Sequence, residues 1–280
     1  MAEKGAESDH VSVAETASTA AGSSLPRPLR AFRLTVAYDG SNYYGWQRQP
    51  DRPTIQEKLE NALERLLQVP RVRIVGSSRT DTGVHAIGQS AKLLTDRWPA
   101  AAERLPLAIN SLLPRDIVVR RAEEVPLQFH PLKHCIGKWY RYQVYVSRIA
   151  DPLGARTHWW IRRPVDFDAM VVAAQYLRGR HDFYSLQTTG SPRKSTVRHV
   201  TRLDISRQQH LDGWLFCIDV EADGFLYNMV RNIVGTLVQV GVGRERPEWV
   251  QQVLAAKDRT VAGAAAPPQG LCLMQVYYAD

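Results

Sequence analysis

Ser78-Arg79-Thr80-Asp81-Thr82-Gly83-Val84-His85-Ala86 places one carboxylate among small and turn-forming residues, directly after the apolar positions Val72, Ile74 and Val75. An apolar segment, a polar loop from Gly76 to Gly88 and a second apolar run from Ser90 to Leu94 predict a strand–loop–strand unit that carries Asp81 on its loop. An aspartate in that setting serves as an Asx-turn residue ahead of Gly83, or as a nucleophile, a general base or a metal ligand. Arg79 lies two residues before it and His85 four residues after it.

Outward from this loop the pattern stays mixed. Phe32, Leu34, Val36 and Tyr38 alternate with polar or small residues, which predicts a strand ended by the turn Asp39-Gly40-Ser41. Thr54-Ile55-Gln56-Glu57 has capping-box spacing, and Ile55, Leu59, Ala62, Leu63, Leu66 and Leu67 behind it share one helical face. Further helices are predicted at Leu105–Leu112, Phe167–Leu177, Met229–Val240 and Pro247–Ala256, the last with its proline at the first helical position. Further strands are predicted at Ile117–Ala122, Trp139–Val146, Thr201–Ser206, Trp214–Val220 and Leu271–Tyr278. Without strict βαβ alternation, this order predicts an α+β fold. It reads as two similar mixed α/β halves, 31–137 and 138–280, with largely antiparallel sheets and helices packed on them. Residues 1–30 are rich in Ala, Ser, Glu and Gly and read as a disordered tail.

The formal net charge is +8, which favours an anionic partner, nucleic acid first. Cys135, Cys217 and Cys272 form no CxxC pair, so neither a zinc site nor a disulfide framework is signalled. Cys217 and Cys272 fall in strand-like apolar runs and are expected to be buried thiols. No apolar run reaches the roughly 20 residues of a membrane span, and the first 30 residues lack the apolar core of a secretory signal. A cytoplasmic location is expected.

Five blocks in order resemble the TruA family of tRNA pseudouridine synthases. The first is Tyr38-Asp39-Gly40-Ser41-Asn42-Tyr43-Tyr44-Gly45-Trp46-Gln47-Arg48-Gln49, and the second is the Asp81 loop. Lys138-Trp139-Tyr140-Arg141-Tyr142, then Asn228-Met229-Val230-Arg231-Asn232-Ile233-Val234-Gly235, then Gly270-Leu271-Cys272-Leu273 complete the set. Ordered matches across residues 32–278 are far more specific than any single motif. Ser78 stands where many members have Gly and Thr82 where many have Ala; both are small enough for a tight loop.

The resemblance implies isomerisation of uridine to pseudouridine in the anticodon arm of tRNA, typically at positions 38, 39 and 40, in a cleft between the halves. It implies Asp81 as nucleophile and Arg231 as the cation that keeps a poorly solvated carboxylate ionised. It implies Arg79 as the residue that helps hold an everted nucleotide, and Tyr140 as the active-site tyrosine against the flipped uracil. It implies a homodimer, with tRNA as partner. No cofactor is implied, since an isomerisation exchanges nothing with an external donor, and no metal-ligand spacing is present. Arg48, Arg193, Lys194, Arg198 and Arg231 are candidates to line the RNA-binding cleft. His85 reads as structural. Read without the resemblance, Arg231 is a surface arginine on an amphipathic helix, Arg79 a salt-bridge partner and Tyr140 a packed strand aromatic. A glycoside hydrolase would need a second carboxyl group facing the same bond, for which Asp39 is the nearest candidate.

Overall fold

The computed structural model describes residues 27–188 and 195–279. The expected tail up to residue 26, and Arg193 and Lys194, lie outside the described residues. In chain order the elements are β1 (Arg30–Tyr38), α1 (Ile55–Leu67), β2 (Val75–Gly76), β3 (His85–Thr95), α2 (Leu105–Asn110), β4 (Ile117–Val125) and β5 (Cys135–Val146). Then follow β6 (Trp159–Ile161), α3 (Phe167–Gln175), β7 (Gly179–Asp182), β8 (Val197–His210), β9 (Gly213–Ala222), α4 (Met229–Gly241), α5 (Trp249–Ala256) and β10 (Leu271–Tyr278).

The strands form one ten-stranded sheet in the order β4-β1-β3-β10-β5-β9-β8-β7, with β2 beside β3 and β6 beside β5. All pairings are antiparallel except β10 with β3 and β5 with β6. β10 is the seam. It pairs in parallel with the start of β3 through Cys272 opposite His85 and Leu273 opposite Ala86. On its other edge it runs antiparallel to β5, with Leu273 opposite Tyr140. The last strand of the chain thus brings the Asp81 loop and the Tyr140 strand side by side.

Period-2 alternation in β1 buries Phe32, Leu34 and Val36 completely. In α1, Ile55, Leu59 and Leu63 are fully buried, each worth about 1.5–3 kcal/mol of burial, so packing rather than propensity holds this helix. Its start is a true capping box: Thr54 Oγ1 accepts from Glu57 N and the Glu57 carboxylate accepts from Thr54 N, both at 3.4 Å. α4 is buried along most of its length, packed against α3 and β5 and against the segment 262–266.

Several boundaries differ from the sequence expectation. The strand expected over Val72–Val75 is reduced to Val75–Gly76: Val72 and Ile74 are buried, but only Val75 and Gly76 reach β3 for ladder bonds. The loop expected to run to Gly88 ends at Val84, because pairing with β10 recruits His85 and Ala86 into β3. Pro247 is not the first helical residue; α5 starts at Trp249 behind Glu248. Cys217 and Cys272 lie on strands but are half-buried, since they alternate with the buried Phe216, Ile218, Leu271 and Leu273. Among the described residues no helix is long and apolar enough to cross a membrane.

Candidate active site

The loop from Ser77 to Val84 is tied down at Ser77, Ser78 and Thr80, and again at Gly83 and Val84. Ser77 N donates to the Ser90 carbonyl at 2.8 Å, and Lys138 Nζ donates to the Ser77 carbonyl at 3.0 Å. The fully buried Gln89 grips Ser78 on both sides: its Oε1 accepts from Ser78 N at 3.3 Å and its Nε2 donates to the Ser78 carbonyl at 2.8 Å. Tyr38 and Thr80 share a hydroxyl hydrogen bond of 2.8 Å, and Trp46 N donates to the Thr80 carbonyl at 3.0 Å. That last bond requires close approach. Gly45, at φ 85°, lies so near that a Cβ there would meet the Thr80 carbonyl. Gly83, at φ 77°, turns the chain back into β3. With its backbone so constrained, the loop presents the Asp81 side chain in one place.

That side chain faces a cavity of about 920 Å³, toward the upper end of the roughly 300–1,000 Å³ typical of small-molecule sites. Its wall comes from both stretches of the chain: Trp46, Gln56 and the 74–81 segment on one side, Lys138, Tyr140 and residues 225–230 on the other. Asp81 is the one acid among the described residues that line it. Its carboxylate is half-buried and accepts no hydrogen bond from any described residue. Burial pushes its pKa above the ordinary aspartate value, and the positive charge of Arg231 pulls the other way. The two do not form a direct ion pair within 4 Å.

Arg231 is half-buried on α4. Its Nε donates to the Ala266 carbonyl at 2.6 Å and its Nη1 to Asn228 Oδ1 at 2.9 Å. It is therefore not a free surface arginine but a guanidinium held by two acceptors. Tyr140 is buried on the cavity wall, its ring edge-to-face with Phe225 at 5.1 Å, its hydroxyl 2.8 Å from Ser78 Oγ. Burial raises its phenol pKa far above the normal range; the Ser78 bond opposes this and the Asp81 charge adds to it. The group is a phenol rather than a phenolate at neutral pH. Tyr142, two residues on and on the same face of β5, is fully buried and donates to the Pro267 carbonyl at 2.7 Å.

Arg79 lines the cavity, is exposed, and makes no ion pair with any described residue. The salt-bridge reading of this residue therefore finds no partner among them. The other cleft cations fare differently. Arg48 pairs with the buried Glu60 at 2.9 Å, and Arg198 donates to the Ser195 and Val197 carbonyls; neither is on the cavity wall. His85 accepts from Gly40 N at 3.0 Å and contacts the Gln269 carbonyl at 3.1 Å, a tie between the loop, β1 and β10 that fits a structural role. Asp39 is engaged by Arg156 at 2.8 Å and is not on the cavity wall. Gln89, Lys138 and Phe225 join the site without having been singled out by spacing. Lys138 lies within a quoted block, but Gln89 reads as an ordinary strand residue until the fold shows what its amide grips.

The family model for tRNA pseudouridine synthase matches residues 34–132 and 173–279. The chain belongs to that family. Among curated members of the tRNA pseudouridine synthases, one from Moorella thermoacetica, named tRNA pseudouridine synthase A, is 46% identical over 252 residues, spanning 89% of this chain and all of the relative. One of the same name from Ruminiclostridium cellulolyticum is 43% identical over 250 residues, again 89% of this chain and all of the relative. A solved Cbf5-Nop10-Gar1 complex matches with a TM-score of 0.33 at 12% identity, over 88% of this chain and 60% of that chain, a likeness too distant to add to the fold described above.

Proposed function

We propose that this member of the tRNA pseudouridine synthases isomerises uridine in the anticodon arm of tRNA, at positions 38, 39 and 40, with Asp81 as nucleophile. The observation that carries the reading is the cavity's carboxylate, the one acid among its described lining residues, which accepts no hydrogen bond from any described residue and feels the charge of Arg231. In the reaction the bond from the ribose carbon to N1 breaks and a bond from the same carbon to C5 forms. C5 loses a proton and N1 gains one, so nothing enters or leaves overall. An ionised carboxylate with few hydrogen bonds is a competent nucleophile because little solvation must be stripped from it. Attack on the uracil ring and attack on the ribose both draw on this same group.

A base in a stem cannot meet a recessed carboxylate, so the target nucleotide is everted, at a cost of a few kcal/mol. Tyr140 then offers a ring face to the uracil, braced by Phe225. Exposed Arg79 fills the vacated space or meets phosphate. Shape and backbone contacts to the RNA suit a basic surface with few base-reading groups. The stretches 31–137 and 138–280 act as the two walls of the cleft. A homodimer, with tRNA as the substrate partner, and a cytoplasmic setting go with this reading.

A hydrolase would require a second acid on the cavity wall, and the described lining holds none. The test is incubation of the purified protein with unmodified tRNA followed by nucleoside analysis. Pseudouridine at the three positions is expected. Free uracil, or no product at all, contradicts the reading.

A further inference from the structure

Helix α4 begins in an unusual way. Its cap residue, Asn228, has φ 58° and ψ 10°, a left-handed conformation that asparagine adopts more readily than most residues with a Cβ. A cap asparagine ordinarily sits in extended backbone and turns its side-chain oxygen onto the amide two or three residues on. Asn228 makes no such bond. Its Oδ1 accepts instead from Arg231 Nη1 at 2.9 Å, and its Nδ2 donates to Thr188 Oγ1 at 3.1 Å. Those two partners fix the amide orientation, because an arginine can only donate. With Ala266 accepting from Nε, the plane of the guanidinium is set from two directions. A left-handed non-glycine residue held by its neighbours is a feature found at functional sites.

We propose that Asn228 is a positioning residue whose side chain sets the attitude of Arg231 toward Asp81, and that its left-handed backbone is what that placement requires. The proposal rests on the reading of Asp81 as nucleophile. The groups around Asp81 are Arg231 from α4, Tyr140 from β5, Arg79 on its own side of the cavity and Lys138 on the other side. Of these, Tyr140 is a neutral phenol, and Lys138 is directed to the Ser77 carbonyl. Arg231 is the cation that opposes the burial-driven rise of the Asp81 pKa, so a change in its attitude is expected to shift the ionisation of Asp81.

The test uses the full-length protein, single-turnover kinetics on unmodified tRNA across pH, and thermal unfolding. Asn228→Gly removes the acceptor but is at home in a left-handed backbone. The melting temperature is expected to stay level or rise, and tRNA affinity to stay within about twofold. The rate is expected to drop roughly tenfold or more, the scale of a lost hydrogen bond to a charged group, and its acid limb to move to higher pH. Asn228→Asp keeps an acceptor for Arg231 and adds a negative charge nearby. Its acid limb also moves up, while its high-pH plateau stays well above that of the glycine variant. A wild-type rate and acid limb in Asn228→Gly overturn the proposal. So does a rate loss with an unmoved acid limb, which would mean a fault in folding or RNA binding rather than in the field at Asp81. An Asp81→Asn control separates the two readings. If it stays active, the nucleophile reading fails whatever Asn228 does; if it is inactive while Asn228→Gly behaves as wild type, only the assignment of Asn228 fails.

Discussion

Asp151, on the loop between β5 and β6, accepts from Leu153 N at 3.0 Å and from His210 Nε2 at 3.0 Å, whereas the carboxylate of Asp81 accepts from no described residue. Both are withdrawn from bulk water. The His210 bond, with backbone amides, holds Asp151 below the usual carboxylate range; burial pushes Asp81 above it, with only Arg231 opposing. Tyr145 packs its ring against both His158 and His210, which completes a closed aromatic and ionic cluster around Asp151. One acid has its hydrogen-bonding capacity met locally and contributes to the fold. The other is left unmet at the wall of a cavity, which is the condition a nucleophile needs.

The widest gap between the two should appear in activity. Asp81→Asn is expected to lose pseudouridine formation by roughly 10³-fold or more, the scale of removing a nucleophile, while tRNA binding persists. Asp151→Asn should keep its rate per folded molecule. Comparable rate losses in both variants would erase the distinction. Next in size, Arg231→Ala is expected to slow single-turnover product formation by on the order of a hundredfold, as for loss of a preorganised charge partner, with the acid limb shifted to higher pH. An unshifted limb would mean that Arg231 does not act through Asp81.

Stability should separate the pair with opposite signs. The folded pKa of Asp151 is depressed, so its contribution is present above 3.8 and lost as pH falls through the folded value. The folded pKa of Asp81 is raised, so its contribution is present below 3.8 and lost as pH rises through the folded value. Denaturant melts from pH 3 to 8 should therefore show Asp151→Asn less stable than wild type at neutral pH. They should show Asp81→Asn slightly more stable there, and both differences should shrink toward acid. Two differences of the same sign would break the comparison. The smallest expected effect is at Ser78→Gly, which frees the Tyr140 hydroxyl but keeps both Gln89 bonds to the backbone; the rate should change only about threefold, the scale of one neutral hydrogen bond.

Much of this was readable in the chain. The alternation of β1 and the capping box of α1 are local patterns, and local physics decides them. The Asp81 loop, Tyr140 and Arg231 stand in blocks whose order could be read directly. What could not be read depends on pairing across long separations. Val72 and Ile74 alternate like a strand, yet ladder partners exist only for Val75 and Gly76. His158 and His210 are 52 positions apart and meet at Asp151 only because β6 lies beside β5 and β8 beside β9. The spacing of Asn228 and Arg231 is visible, but the left-handed backbone that turns one amide toward the other guanidinium is not. Gln89 looks like any polar strand residue, and its grip on Ser78 depends on the sharp return of the loop at Gly83.

The central claim is that Asp81 is a poorly solvated carboxylate whose ionisation leans on Arg231. Its most direct test is titration of that carboxyl by carbon NMR in the wild-type protein and in Arg231→Ala. The account expects a pKa above the 3.8 of an ordinary aspartate, rising further when the arginine is removed. A value at or below 3.8, unchanged in Arg231→Ala, would contradict it.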